Sequence, residues 1–189
     1  MMLGEVEIVN LALARLGESP IQTLDEGSAP ANSAKMLYPS EKKAVLRDYN
    51  WGFALRVKTL ARLAEEPIGF RFAYALPADC LRVVRVWERS TQCLVSHDTR
   101  GKTLLTDADG ELCVEYVADI EDASLFDSKF VEALVYKLAS ALAMPVKGSA
   151  ELMANYANMY QAIVSQAATL TARESGVHPS ENPYVEARL

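Results

Sequence analysis

The sequence is poor in the residue types on which most site chemistry depends. It holds 2 histidines and 3 cysteines in 189 residues. Cys80, Cys93 and Cys113 are odd in number and widely spaced, which suits reduced, mostly buried thiols better than a disulfide framework. Positive charge is also scarce. A net charge of -6 and a pI near 5.0 argue against a protein that grips nucleic acid by its phosphates, which needs clustered Lys and Arg. A regulatory or DNA-binding module is disfavoured by the same acidic pI and by the lack of a basic recognition helix. Long apolar runs are missing too, since none approaches the roughly 20 residues of a membrane span. Glu5 and Glu7 stand where a secretion signal would be positive, so the chain reads as made and kept in the cytoplasm, with no membrane partner.

What is present is the composition of a folded protein: 50% hydrophobic and 23% charged residues. The length suits one domain with a real core. Along residues 6–16, Val6, Val9, Leu13 and Leu16 recur at helical steps, and Gly17 ends that helix. A loop over 21–28 follows. Ser28 or Asn32 caps a second helix running toward Tyr49, in which Pro39 predicts a kink or break near Tyr38.

From 51 to 118 the texture becomes short aromatic and β-branched runs, at 70–76, 81–87, 103–106 and 111–117. In the last run Leu112, Val114 and Tyr116 alternate with Glu111, Cys113 and Glu115, the pattern of a strand with one buried face. Asp109-Gly110 before it predicts a tight hairpin, and the whole stretch a small antiparallel sheet. After Asp127, Val131, Val135, Leu138 and Leu142 mark a third helix stopped by Pro145 and Gly148. Leu152, Tyr156, Met159, Ile163, Ala167 and Leu170 mark one face of a fourth helix over 150–174, antiparallel to the third. There is no internal repeat and no low-complexity tract.

The expected fold is α+β: a four-helix core from residues 1–50 and 127–175, a β-rich insertion over 51–118, and an extended C-terminal arm over 176–189. Residues 1–175 form the single domain.

Each candidate for chemistry has a plainer reading beside it. Gly101-Lys102-Thr103 is similar to the end of a phosphate-binding loop, but Ser96 replaces its first glycine and strand follows it, so a turn fits better. Asp107-Ala108-Asp109-Gly110 has the look of a calcium loop whose first and twelfth ligands would be Leu105 and Tyr116, neither of which binds a hard cation. Cys80, Cys93, His97 and Cys113 are a conceivable zinc set without the close spacing of a zinc knuckle. Glu65, Glu66, Asp119, Glu121 and Asp122 read as solvated surface. No Gly-x-Ser-x-Gly elbow exists, so no catalytic residue, metal ligand or cofactor is expected. Tyr156 and Met159 read as core. Met153 and Tyr160 are open between core and a docking surface, and with His178, Pro179, Asn182, Pro183, Tyr184 and Leu189 of the arm they make up the candidate partner interface.

Read in order, these residues resemble the head-to-tail adaptor family of tailed phages, the tail tubular protein A family, over nearly the whole chain. The likeness opens with Asn10-Leu11-Ala12-Leu13-Ala14-Arg15-Leu16-Gly17-Glu18-Ser19-Pro20-Ile21. It continues through Leu37-Tyr38-Pro39, Val45-Leu46 and Trp51-Gly52-Phe53-Ala54, where Gly52 stands at a position the family often fills with Asn. Its most specific element is Tyr74-Ala75-Leu76-Pro77-Ala78-Asp79-Cys80-Leu81-Arg82-Val83. Tyr116-Val117-Ala118-Asp119 and Phe126-Asp127-Ser128-Lys129-Phe130-Val131-Glu132-Ala133-Leu134 complete it.

The resemblance implies a non-enzymatic virion protein: a ring, commonly a dodecamer, that docks beneath the portal after packaging, helps retain DNA in its channel and carries the next tail or nozzle protein. It implies a subunit made in the host cytoplasm and kept at the head-tail junction, monomeric until it meets its portal. Two other classes stand beside it: a phage tail-completion protein or assembly chaperone with the same helices and no ring, and a metal-dependent hydrolase using the Cys/His set.

Overall fold

The computed structural model describes residues 4–64 and 67–174. Helix α1 (Glu5–Arg15) buries Ile8, Val9, Ala12 and Leu13. Gly17 ends it as the spacing predicts: the Glu18 N–H donates to the Leu13 carbonyl at 3.0 Å and the Gly17 N–H to that of Ala14 at 3.1 Å, the paired bonds that satisfy a helix's last carbonyls. The Asn10 amide then clamps the following loop, donating to the Ile21 carbonyl at 2.9 Å and accepting from the Ile21 N–H at 2.8 Å.

Helix α2 (Ala29–Asp48) is capped by Ser28, whose hydroxyl accepts from the Ala31 N–H. It runs through Pro39 without the break expected near Tyr38. Pro39 and Lys35, whose carbonyl loses its partner, are both exposed, so the freed carbonyl is open to solvent.

The strands form two antiparallel sheets rather than one. The first has the order β1 (Leu55–Thr59), β7 (Leu112–Ala118), β4 (Cys80–Glu88); the second has the order β2 (Ala61–Arg62), β3 (Phe72–Ala75), β6 (Thr103–Thr106), β5 (Asp98–Arg100). Because β6 and β7 belong to different sheets, Asp109-Gly110 is a corner between them and not the predicted hairpin. The tight turn lies instead at Gly101-Lys102, which joins β5 to β6 with Arg100 opposite Thr103; Gly101 supplies the positive φ of 60° that its first position demands. Strand β7 also departs from its expected single buried face, since only Glu115 escapes full burial. It is the middle strand, and β1 and β4 flank it on both sides.

Helix α3 (Ser128–Lys147) starts on Asp127, whose carboxylate accepts from the Phe130 N–H at 2.7 Å. Its buried stripe is wider than predicted, taking in Phe130, Ala133, Leu134, Val135, Leu138, Ala139 and Leu142, because α3 packs against α1, α2 and α4 together. Pro145, on an exposed turn, does not stop it; Gly148 does, in the left-handed conformation. Helix α4 (Ala150–Glu174) buries Tyr160, Ile163 and Ala167. Met159 is 50% exposed, against its predicted place in the core, and Tyr160 takes that place. The buried side chains of all four helices and both sheets join in one cluster. No helix of the described residues is long and apolar enough to cross a membrane.

Candidate functional site

Residues 51–53, 76–82, 116–119 and 126–130 meet in a well-fastened seam between helices and sheets. After α2 the chain turns at Trp51, whose indole N–H donates to the Val45 carbonyl at 2.8 Å. Its ring stands edge-on to Tyr49 at 5.1 Å and to Phe130 at 5.3 Å. Phe53, Phe126 and Phe130 close a second aromatic group with centroids 4.7–5.6 Å apart. These edge-to-face contacts pin the start of β1 to the start of α3.

The segment from Leu76 to Arg82 closes the seam from the sheet side. Its turn is set by the Cys80 N–H donating to the Pro77 carbonyl, and Lys102 donates through Nζ to the Ala78 and Cys80 carbonyls at 3.0 and 2.7 Å. Asp79 accepts from the Tyr116 hydroxyl at 3.2 Å, and its carbonyl accepts from the Asp119 N–H at 2.8 Å. Arg82 reaches back to the end of α2, donating through Nε to the Arg47 carbonyl at 2.9 Å and through Nη2 to Asn50 at 2.5 Å. Burial, with the Asp79 charge adding to it, pushes the Tyr116 hydroxyl above its ordinary value, which keeps it a neutral donor.

Beside this seam lies a buried charge cluster that the sequence did not reveal. Asp119 is no solvated surface group: Lys42 Nζ stands 3.3 Å and Lys43 Nζ 3.1 Å from its carboxylate, with the Lys42 side chain 7% exposed. Lys42 also donates to the Ile120 carbonyl at 2.9 Å. Two positive charges against one carboxylate, with a carbonyl for the buried one, is the pairing that makes a buried lysine tolerable. Spacing gives no sign of it, because the partners are some 76 residues apart.

Two of the sequence candidates meet in one place. Met153 and Tyr160 line a groove of about 240 Å³ between α2, α3 and α4, with Glu41, Lys137, Ser140 and Gln161. Tyr160 is 1% exposed; its hydroxyl donates to Asp48 at 2.6 Å and Lys137 Nζ lies 4.7 Å above its ring. Burial first, then the Asp48 contact, drives that hydroxyl well above its ordinary value. Met153 keeps 40% of its surface, and its carbonyl accepts from the Ser140 hydroxyl at 2.8 Å. The groove therefore offers a methionine surface with a charged rim. The remaining interface candidates, His178, Pro179, Asn182, Pro183, Tyr184 and Leu189, lie outside the described residues, as do Glu65 and Glu66.

The conceivable zinc set is not assembled. Cys80 stands opposite Ala118 and Cys113 opposite Trp87, near the two ends of the β4–β7 ladder and about 17 Å apart at strand spacing, while Cys93 is exposed. Burial pushes the Cys80 thiol up, away from the reactive thiolate. Among the described residues no group of three or more His, Cys, Asp or Glu side chains stands close enough to hold a metal ion. His97 Nδ1 contacts the Val95 carbonyl at 3.1 Å. Asp107 accepts from the Arg71 N–H and Asp109 pairs with Arg62 at 3.0 Å, so the acidic corner is used in joining strands.

Charge is unevenly placed. Residues 51–118 hold nine basic and nine acidic side chains, so the whole net charge of -6 falls on residues 1–50 and 119–189. No protein-family model matches the chain, and no curated protein matches it.

Proposed function

We propose that this chain is a head-to-tail adaptor subunit of a tailed phage or prophage, a non-enzymatic protein that joins a ring beneath the portal. In this reading the helices form one core, the strand-rich stretch 51–118 is an insertion in it, and residues 176–189 are an arm that engages a neighbour. The observation that carries the reading is the use made of the resembling segments. Asn10, Trp51, Asp79, Arg82 and Phe130 all tie one element to another, as a subunit needs when it must keep its shape under load. The acidic helical segments suit a channel wall along which DNA passes without being held, because phosphates are repelled rather than bound. The portal above, a tail or nozzle protein below and further copies of the chain are its partners, and its place is the head-tail junction of the virion.

Light scattering of the purified chain, alone and mixed with the portal protein encoded beside it, tests this. The expected result is a monomer alone and a multi-subunit complex with the portal. A monomer in both conditions overturns the adaptor reading in favour of a completion factor or chaperone.

A further inference from the structure

The outer edge of β1 is open. Among the described residues β1 is an edge strand that pairs only with β7, and no strand is paired to its far side. The direction of its free groups follows from the ladder. The Leu60 N–H donates to the Leu112 carbonyl, and in an antiparallel pair such bonded positions alternate, so Arg56 and Lys58 face β7 while Leu55, Val57 and Thr59 turn outward. The Leu55 N–H is taken by the Gly52 carbonyl and its C=O by the Arg56 guanidinium, which leaves the groups of Val57 and Thr59 open. Val57, in the middle of this edge, is 57% exposed. Open backbone groups on an exposed valine and on the threonine two residues beyond it are a template for a short added strand.

The chain itself holds a segment that matches. After Pro183, residues 184–189 alternate strictly, Tyr184, Glu186 and Arg188 on one side and Val185, Ala187 and Leu189 on the other. Laid antiparallel with Val185 opposite Val57, this segment puts Ala187 opposite Leu55, Glu186 opposite Arg56 and Tyr184 opposite Lys58. Apolar side chains then share one face, and both basic residues of β1 meet a favourable neighbour. Pro183 falls opposite Thr59, where its missing N–H ends the ladder. No other antiparallel register keeps Val57 beside an apolar residue and also gives Arg56 its opposite charge.

We propose that β1 receives residues 184–189 of a neighbouring copy as an added strand. The donor segment and the acceptor edge are different parts of one chain, so each copy gives one contact and takes another. Such head-to-tail contacts generate a ring when the rotation closes, and in this respect the inference rests on the adaptor reading. The segment comes from a second copy rather than from the same chain, because a strand added within one chain leaves no contact for ring formation.

Disulfide trapping in the full chain tests it. Two differently tagged forms, both with the exposed Cys93→Ser, carry Val57→Cys and Val185→Cys respectively and are mixed, alone and on the portal. Opposed positions of an added strand lie about 5.5 Å apart, within disulfide reach. The expected product is a linked pair of unlike tags on the portal, at least tenfold more abundant than with Glu186→Cys, which is one residue out of register. A multi-subunit complex on the portal without that link overturns the strand docking and leaves the adaptor reading standing. Linked pairs without any portal complex keep the docking and remove the adaptor reading. A link formed within one chain carrying both cysteines, in preference to the mixed pair, overturns the assignment to a neighbour.

Discussion

The Tyr160 hydroxyl donates to the Asp48 carboxylate at 2.6 Å across 112 residues of sequence, tying the middle of α4 to the last residue of α2. The phenol is buried and the aspartate is exposed at the helix end. Removing the donor alone leaves Asp48 to water, so Tyr160→Phe is expected to cost about 1 kcal/mol, the net worth of one hydrogen bond. Tyr160→Ala removes the ring as well and is expected to cost about 4 kcal/mol. Urea denaturation of both variants checks the pair, and equal losses would contradict it.

Tyr38 presents the opposite case. Its hydroxyl is buried with no hydrogen-bond partner among the described residues, and burial, then the charge of Glu5, pushes it far above its ordinary value. Tyr38→Phe deletes a polar group that gains nothing where it sits. The variant is expected to match the parent or exceed its stability by about 1 kcal/mol, read from the thermal midpoint.

Asp119 holds Lys42 and Lys43 unequally. Asp119→Ala leaves the nearly buried Lys42 ammonium with one carbonyl, and about 3 kcal/mol of stability is expected to go. Lys43 is half exposed, so water screens its pair, and Lys43→Ala is expected to cost under about 0.5 kcal/mol. Denaturant midpoints of the two variants should differ accordingly; similar values would show that the carboxylate does not discriminate between them.

Alkaline pH should unfold the chain through its tyrosines. Tyr38, Tyr74, Tyr116 and Tyr160 are all raised above the ordinary phenol value, with burial the first cause in each. A raised value means that the folded state holds the proton more tightly. The resulting stability is complete below the unfolded value of about 10 and is lost as pH rises from there through the folded values. Phenolate absorbance is therefore expected to rise together with loss of helix above about pH 10. Smooth ionisation with the helical signal unchanged would contradict this.

The helices were legible because their ends carry local chemistry: Gly17, Ser28, Asp127 and Gly148 act within a few residues of themselves. At Pro39 and Pro145 the helix runs on without a break, because packing along the rest of each helix outweighs one lost amide bond at an exposed position. On α4 the stripe runs through Tyr160 rather than Met159. Both residues fit a helical face, and the choice falls to Asp48, which lies far off in sequence. Strands β3, β4, β6 and β7 were visible in their apolar runs, but the exposed β1, β2 and β5 carry no such signal and gain their order from neighbours. Asp109-Gly110 is a proper turn signal whose flanking strands belong to different sheets. Of the groove, Met153 and Tyr160 stand out in the sequence as adaptable side chains of the last helix, whereas Glu41 and Lys137 enter only through tertiary packing.

Among the described residues the strand at the centre of the first sheet is also the last of the seven to be synthesised, and α3, which packs against the other three helices, comes after it. A growing chain therefore leaves the ribosome as flanks without a middle: β1 and β4 wait for β7, then α1 and α2 wait for α3. Folding cannot be completed piece by piece from the N-terminus. A nascent chain stalled before residue 112 should be as sensitive to protease as an unfolded one, and the transition to resistance should come abruptly, once α3 has emerged.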